Sequence, residues 1–364
     1  MADDSDLVRA LRLQGQFCRS AGSEFTARML EQAADDVAAG GPVTALLAPW
    51  ASTPLQAIFN DAAALRLAAA VHDLALSGEE AELSAGYAAL DPARAWTAAR
   101  ATIPTQRARL ARFMEHEPQT NEVRRSIALL GGFLEVAAET GLPLRIFEIG
   151  ASAGLNLSWD RYRYELGGSA WGDPAASVRM DTDWRGPLPP LEAPVRVIER
   201  AACDRRPTDL SDPDQRRRLL SYFWPDQTER LARIHAAIAF AVETGVRVET
   251  ATAAEWTRAR VAPKPGAATV IFHSSFWPYL PPDGQGELRR IIEAIGARAT
   301  REAPFAWLSK EPPTDKLAAD ELTLTLWPGG EARRLAETHP HGAWVKWLDV
   351  TAEPRISRTN TDPE

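Results

Sequence analysis

Residues able to do chemistry concentrate in one stretch, Leu144 to Asn156 (LRIFEIGASAGLN). An apolar run of strand length carries Glu148, Gly150 to Gly154 are all small, and Asn156 opens a helix-like segment. Strand, small-residue turn and helix is how α/β folds build a ligand cradle. Glycine lets the backbone approach a ligand, and the turn aims backbone N–H groups at a polar group. Three readings compete. Glu148, Gly150, Ser152 and Gly154 read as an acidic-x-Gly-x-Gly-x-Gly cofactor loop with Ser152 in place of the middle glycine. Gly150-Ala151-Ser152-Ala153-Gly154 also reads as G-x-S-x-G, the spacing of a hydrolase nucleophile. There Ser152 attacks an acyl carbon, His339 or His341 is the base, and Asp315 or Asp320 orients it. The third reading is a structural turn in which Glu148 and Ser152 satisfy backbone groups. The stretch lacks the Lys-Ser/Thr of a P-loop and the G-x-G-x-x-G of a dinucleotide fold.

Other candidates stand at expected element ends. His273, with Ser274, ends the apolar run Thr269 to His273, and in doubly wound sheets ligands bind outside the carboxyl ends of strands. His273 is therefore a candidate base. Gln119, Asn121 and Glu122 precede a helix, either as caps or as groups presented to substrate, which makes Glu122 a second candidate base. Glu199 ends the run Val195 to Glu199, with Asp204 as the fallback acidic residue at that strand end. Asp226 with Glu229 reads as a capping pair for a long helix. His339 and His341 flank Pro340 with no third ligand in view, so no metal site is expected.

The elements that position these groups divide in two. Residues 1–140 read as helical throughout, with Ser23 and Asp91-Pro92 as helix starts, Gly40-Gly41, Gly78 and Gly141 as stops, and Pro104 as a break. One long helix is expected from Pro54 to Gly78 and another from Thr120 to Glu139. After Gly141 apolar runs alternate with helical stretches: Leu144 to Ile149, Val195 to Glu199, Val246 to Glu249, Thr269 to His273 and Phe305 to Leu308. That alternation implies a parallel sheet covered by helices. Glu321 to Trp327 and Ala343 to Val350 alternate with period two and imply an antiparallel pair at one edge. Residues 141–352 thus form a Rossmann-like domain behind a helical cap domain, and residues 353–364 are expected to be disordered.

Composition narrows the function classes. A net charge of -8 argues against non-specific nucleic-acid binding. No apolar run has the length of a membrane span, and the acidic start is unlike a secretory signal. Two cysteines give no disulfide framework, so a cytoplasmic protein is expected. The small-residue turn at the strand end makes a small-molecule substrate the expected partner.

Five parallel strands closed by a late antiparallel pair resemble class I S-adenosylmethionine (AdoMet) methyltransferases. That resemblance implies that Glu148 lies near the amino group of the methionine moiety, that the glycines pass under the nucleoside, and that Glu199 grips the ribose hydroxyls. Roughly forty residues separate the turn from the second strand, about twice the usual spacing. More specific stretches are Pro118-Gln119-Thr120-Asn121-Glu122-Val123, FEIGASAGLNLSWDRYRYELGG, Trp224-Pro225-Asp226-Gln227, His273-Ser274 with Trp277, Trp327-Pro328-Gly329-Gly330 and His339-Pro340-His341-Gly342. On these the chain resembles, nearly end to end, the uncharacterised bacterial family called domain of unknown function 2332. That resemblance implies a methyltransferase-type domain behind a helical region. Thr252 stands where the family pattern has an acidic residue.

Overall fold

The computed structural model describes residues 5–313 and 319–349. Asp315 and the expected tail at 353–364 lie outside the described residues. The chain forms two compact units, Met1–Thr120 with Ser211–His235, and Asn121–Leu210 with Ala236–Glu364. The boundary expected at residue 140 is corrected on two counts. The helix before Gly141 belongs to the second unit, and a later segment, 211–235, belongs to the first.

The helices in chain order are α1 (Asp6–Ser20), α2 (Glu24–Ala38), α3 (Val43–Leu46), α4 (Leu55–Asn60), α5 (Ala63–Ser77), α6 (Ala81–Ala88), α7 (Pro92–Met114), α8 (Ser126–Thr140), α9 (Pro213–Ser221), α10 (Thr228–Glu243), α11 (Ala253–Arg260) and α12 (Pro282–Gly296). The first unit is built on α1 to α7 and α9. Ser23 caps α2 by accepting from the Thr26 amide at 3.2 Å, and Asp91 caps α7 ahead of Pro92. Asp226 accepts from the Ser23 hydroxyl at 2.6 Å and the Phe25 amide at 2.9 Å, so it secures the start of α2 and not a helix of its own. Two further expectations are corrected. Helix α7 runs through Pro104. The expected helix from Pro54 to Gly78 is interrupted between α4 and α5, where Ala62 is left-handed at φ 54°.

The second unit carries an eleven-stranded, mostly parallel sheet: β1 (Leu144–Ile149), β2 (Arg163–Leu166), β3 (Ser169–Trp171), β4 (Arg179–Arg185), β5 (Val197–Asp204), β6 (Glu249–Thr250), β7 (Ala268–Ser274), β8 (Phe305–Glu311), β9 (Asp320–Trp327), β10 (Ala332–Thr338) and β11 (Trp344–Trp347). The order is β3-β2-β4-β11-β10-β9-β8-β7-β1-β5-β6. Strands β6, β5, β1, β7 and β8 are mutually parallel, and β1 lies between β5 and β7. All of β1 and β7 is buried, as strands covered on both faces require. From β8 the sheet continues antiparallel through β9, β10 and β11. The expected edge pair is thus a meander. Its middle strand, Ala332–Thr338, was hidden by a charged sequence (ARRLAET).

Three strands come from the long insert after the turn. β4 joins β11 in parallel, β2 joins β4, and β3 closes that edge. Trp159, Tyr162 and Tyr164 anchor the insert and are fully buried. Trp159 stacks on Phe133 at 4.2 Å between centroids, and the Tyr162 and Tyr164 hydroxyls donate to the carbonyls of Leu155 and Trp159. Helix α8 packs tightly on the sheet because Gly131 and Gly132 leave room for the Trp347 ring and the Leu308 side chain.

Candidate functional site

The turn after β1 alternates in hand. Gly150, Ser152 and Gly154 are left-handed at φ 67°, 54° and 72°. Serine seldom adopts that conformation, and neighbours hold it there. The Ser152 amide donates to Asp204 at 2.9 Å, its carbonyl accepts from Thr208, and the Ala151 amide donates to the carbonyl of Cys203. Asp204 also accepts from the Arg206 amide at 2.8 Å. The turn leads into a 3₁₀ segment, Leu155–Arg161, in place of the expected amphipathic α-helix.

Side chains of this chain cover two glycine faces of the turn. The Phe276 ring lies where a Cβ on Gly150 would go, and Val246 and Val248 stand 2.9 Å from a Cβ on Gly154. Glu148 and Ser152 are buried, and neither Glu148 Oε2 nor Ser152 Oγ makes a hydrogen bond among the described residues. Burial pushes the Glu148 carboxyl well above the usual carboxylate range. The Asp204 charge pushes the same way, and Arg125 opposes it.

Asn121 and Glu122 fasten the turn from the other side. Asn121 Oδ1 accepts from the Leu155 amide at 3.1 Å, and the Glu122 carbonyl accepts from Asn156 Nδ2 at 3.5 Å. Asn156 is wholly buried, and its Oδ1 has no partner among the described residues. The Glu122 carboxylate is also buried and accepts from the Arg124 amide at 3.2 Å. The expected polar groups before and after the turn therefore meet.

One expected site residue sits elsewhere, and a second lies where expected with its ring nitrogens occupied. Strand β5 runs on through Arg200 to Asp204, so Glu199 does not end it, which corrects that assignment. Glu199 pairs with Arg145 at 2.6 Å, opposite the amino-terminal half of β1, and Asp204 occupies the carboxyl end. His273 lies near the carboxyl end of β7, but both ring nitrogens are engaged, Nδ1 with Glu311 at 2.6 Å and Nε2 with the Trp307 indole N–H at 3.0 Å. The ring is 1% exposed and stacks on Trp277. That environment holds a structural histidine and leaves no nitrogen for an incoming group.

A neighbouring cluster escaped sequence reasoning. Lys310 near the end of β8 is fully buried, with its Nζ 2.6 Å from Asp320 and 3.3 Å from the Pro340 carbonyl. Arg125 donates to the same carbonyl at 3.2 Å. His339 Nδ1 accepts from the His341 amide at 3.0 Å, which folds the loop between β10 and β11. Burial lowers the Lys310 ammonium to about 8, against the pull of Asp320. The signal that could have found it was composition, since only four lysines are present and this one ends an apolar strand.

The fold and site define an α/β protein whose buried polar groups gather at the carboxyl ends of its central parallel strands. The chain belongs to the family described as an uncharacterised protein conserved in bacteria (DUF2332), whose model matches residues 8–347. No curated protein and no solved structure matched it. Among the described residues no helix is long and apolar enough to cross a membrane.

Proposed function

We propose that the second unit binds AdoMet at the carboxyl ends of β1 and β5 and transfers its methyl group to a small or medium acceptor. One observation carries this reading. Glu148 is a buried carboxyl whose Oε2 lacks a partner among the described residues, beside a second carboxylate, Asp204, on the adjacent strand end. A buried polar atom without a partner is costly. An α-ammonium group would satisfy Glu148 and draw it to its charged form. Asp204 replaces Glu199 as the acidic residue for the ribose hydroxyls. Phe276, Val246 and Val248, which cover the glycines, would bound the ligand in place of bare backbone.

AdoMet supplies an electrophilic methyl on a sulfonium. The chain's role is to bind, orient and exclude water. Glu148 neutralises the amino-acid end, and Asn121 and Glu122 keep the turn and Asn156 in place. His273 is held as a structural group and moves no proton in this reading.

Calorimetric titration of the full chain with AdoMet tests it. Saturable binding is expected, weakened at least tenfold in Glu148→Gln and in Asp204→Asn. No heat at millimolar AdoMet overturns the reading. Binding without methyl transfer to any acceptor in a broad panel would leave a ligand-sensing module.

A further inference from the structure

We propose that Arg125 and Lys310 form an oxyanion site that takes the carboxylate or phosphate of a small anionic substrate. Two cationic side chains from different elements converge on one neutral atom, the carbonyl oxygen of Pro340, at 3.2 and 3.3 Å. Bringing like charges together is unfavourable in a partly buried setting unless an anion offsets them. Asp320 pairs with Lys310 at 2.6 Å and Glu311 also favours the Lys310 charge, whereas Arg125 acts on Glu148 without an ion pair to any described carboxylate.

Arg125 departs from its neighbours. Arg145, Arg163, Arg200 and Arg334 are partly buried arginines of this unit, and each holds a carboxylate at 2.6 to 3.0 Å. Arg125 is half-buried, and its only side-chain hydrogen bond among the described residues runs through Nε. The fork of its two Nη groups has no partner among the described residues, and that planar pair of donors matches a carboxylate or phosphate edge. Lys310 likewise retains a third N–H. Around them Arg124 adds positive charge, burial holds His339 toward its neutral form, and Glu122, Glu148, Glu311 and Asp320 are the acidic groups that oppose. The half-buried His339 and His341 and the exposed Pro340 form the outward side.

Loop fastening is the competing role. It would need each donor to reach the Pro340 carbonyl, but it gives no reason for a guanidinium whose Nη groups meet no acceptor among the described residues. The oxyanion site stands on its own geometry, and only its use as the acceptor pocket rests on the methyl-transfer reading.

The test titrates the full chain with inorganic phosphate and with malonate, against chloride at matched ionic strength, followed by calorimetry and by melting temperature. Saturable binding beyond the chloride control is expected. Arg125→Gln should weaken it at least tenfold. Arg125→Lys keeps the charge but loses the fork, and should fall between. The Arg125 Nε resonance of the wild-type protein should shift on titration, a readout that needs no variant. The stronger of the two probes identifies the anion class. Phosphate and malonate acting no more than chloride would overturn the proposal, as would an equal response from Arg125→Gln. Anion binding with no AdoMet binding would sink only the methyl-transfer reading.

Discussion

His273 donates its Nδ1 hydrogen to Glu311, and a third residue fixes that direction. The Trp307 indole can only donate, so His273 Nε2 accepts it, and the ring proton sits on Nδ1, 2.6 Å from the Glu311 carboxylate. Glu311 also accepts from the Phe276 amide at 3.0 Å, which ties the loop after β7 to β8. Glu311→Ala would strand the buried His273 N–H and the half-buried Phe276 amide. A loss of about 2–4 kcal/mol of unfolding free energy is expected, read by urea denaturation. His273→Gln, which can still donate, should lose less.

Glu148 gives a signed pH dependence. Its carboxyl is raised in the folded protein by burial and then by Asp204. An unfolded glutamate loses its proton near pH 4.3. Above that pH the native state holds a proton that the unfolded chain has released, so stability falls as pH rises until the folded group ionises. Urea midpoints from pH 5 to 8 should show wild type declining relative to Glu148→Gln. Saturating AdoMet should reduce the decline by supplying a counter-charge. A constant difference across that range would remove Glu148 from the site.

Legibility in the sequence followed the physics of each element. The runs at β1, β7 and β8 are buried on both faces and announced themselves by apolar content alone. β5 was cut short because Arg200 follows Glu199, and that one misreading moved the acidic residue from Asp204 to Glu199. β10 was missed because its charged side chains form ion pairs, Arg334 with Glu337 and Arg333 with Glu139. Within the site, Glu148, Ser152 and Asn156 were visible as a local motif. Arg125 and Lys310 were not, and Asp320 was named only as the acid of the hydrolase reading, because the three meet only through the pairing of β8 with β9 and the loop after β10, and no spacing in the sequence encodes that meeting.

The first unit should be acid-sensitive through His72. This ring is buried, with Nδ1 3.2 Å from the Ser221 carbonyl, and stacks on Tyr87. Burial lowers its pKa from 6.5 to about 4. Below about pH 6.5 the unfolded chain gains a proton that the folded ring refuses, so stability falls as pH drops toward 4. The full contribution is about 3 kcal/mol. His72→Gln should flatten this region of the profile. Unfolding of both proteins between pH 7 and 4 measures it, and parallel profiles would refute the assignment.

Ser152 separates the two motif readings by a substitution that ought to help. Its backbone is left-handed at φ 54°, and its buried hydroxyl has no partner among the described residues. Glycine adopts that conformation without strain and removes the unsatisfied hydroxyl. Its amide would still donate to Asp204. Ser152→Gly is therefore expected to stabilise the protein by about 1–2 kcal/mol and to preserve AdoMet binding, since it restores the middle glycine of the loop. A serine nucleophile would show the opposite pattern. It needs a hydrogen-bonded base, and Ser152 Oγ makes no hydrogen bond to any described residue. The wild-type chain is accordingly expected not to react with a fluorophosphonate probe. Labelling that vanishes in Ser152→Gly, together with a less stable variant, would reverse the assignment and make the strained serine the reacting group.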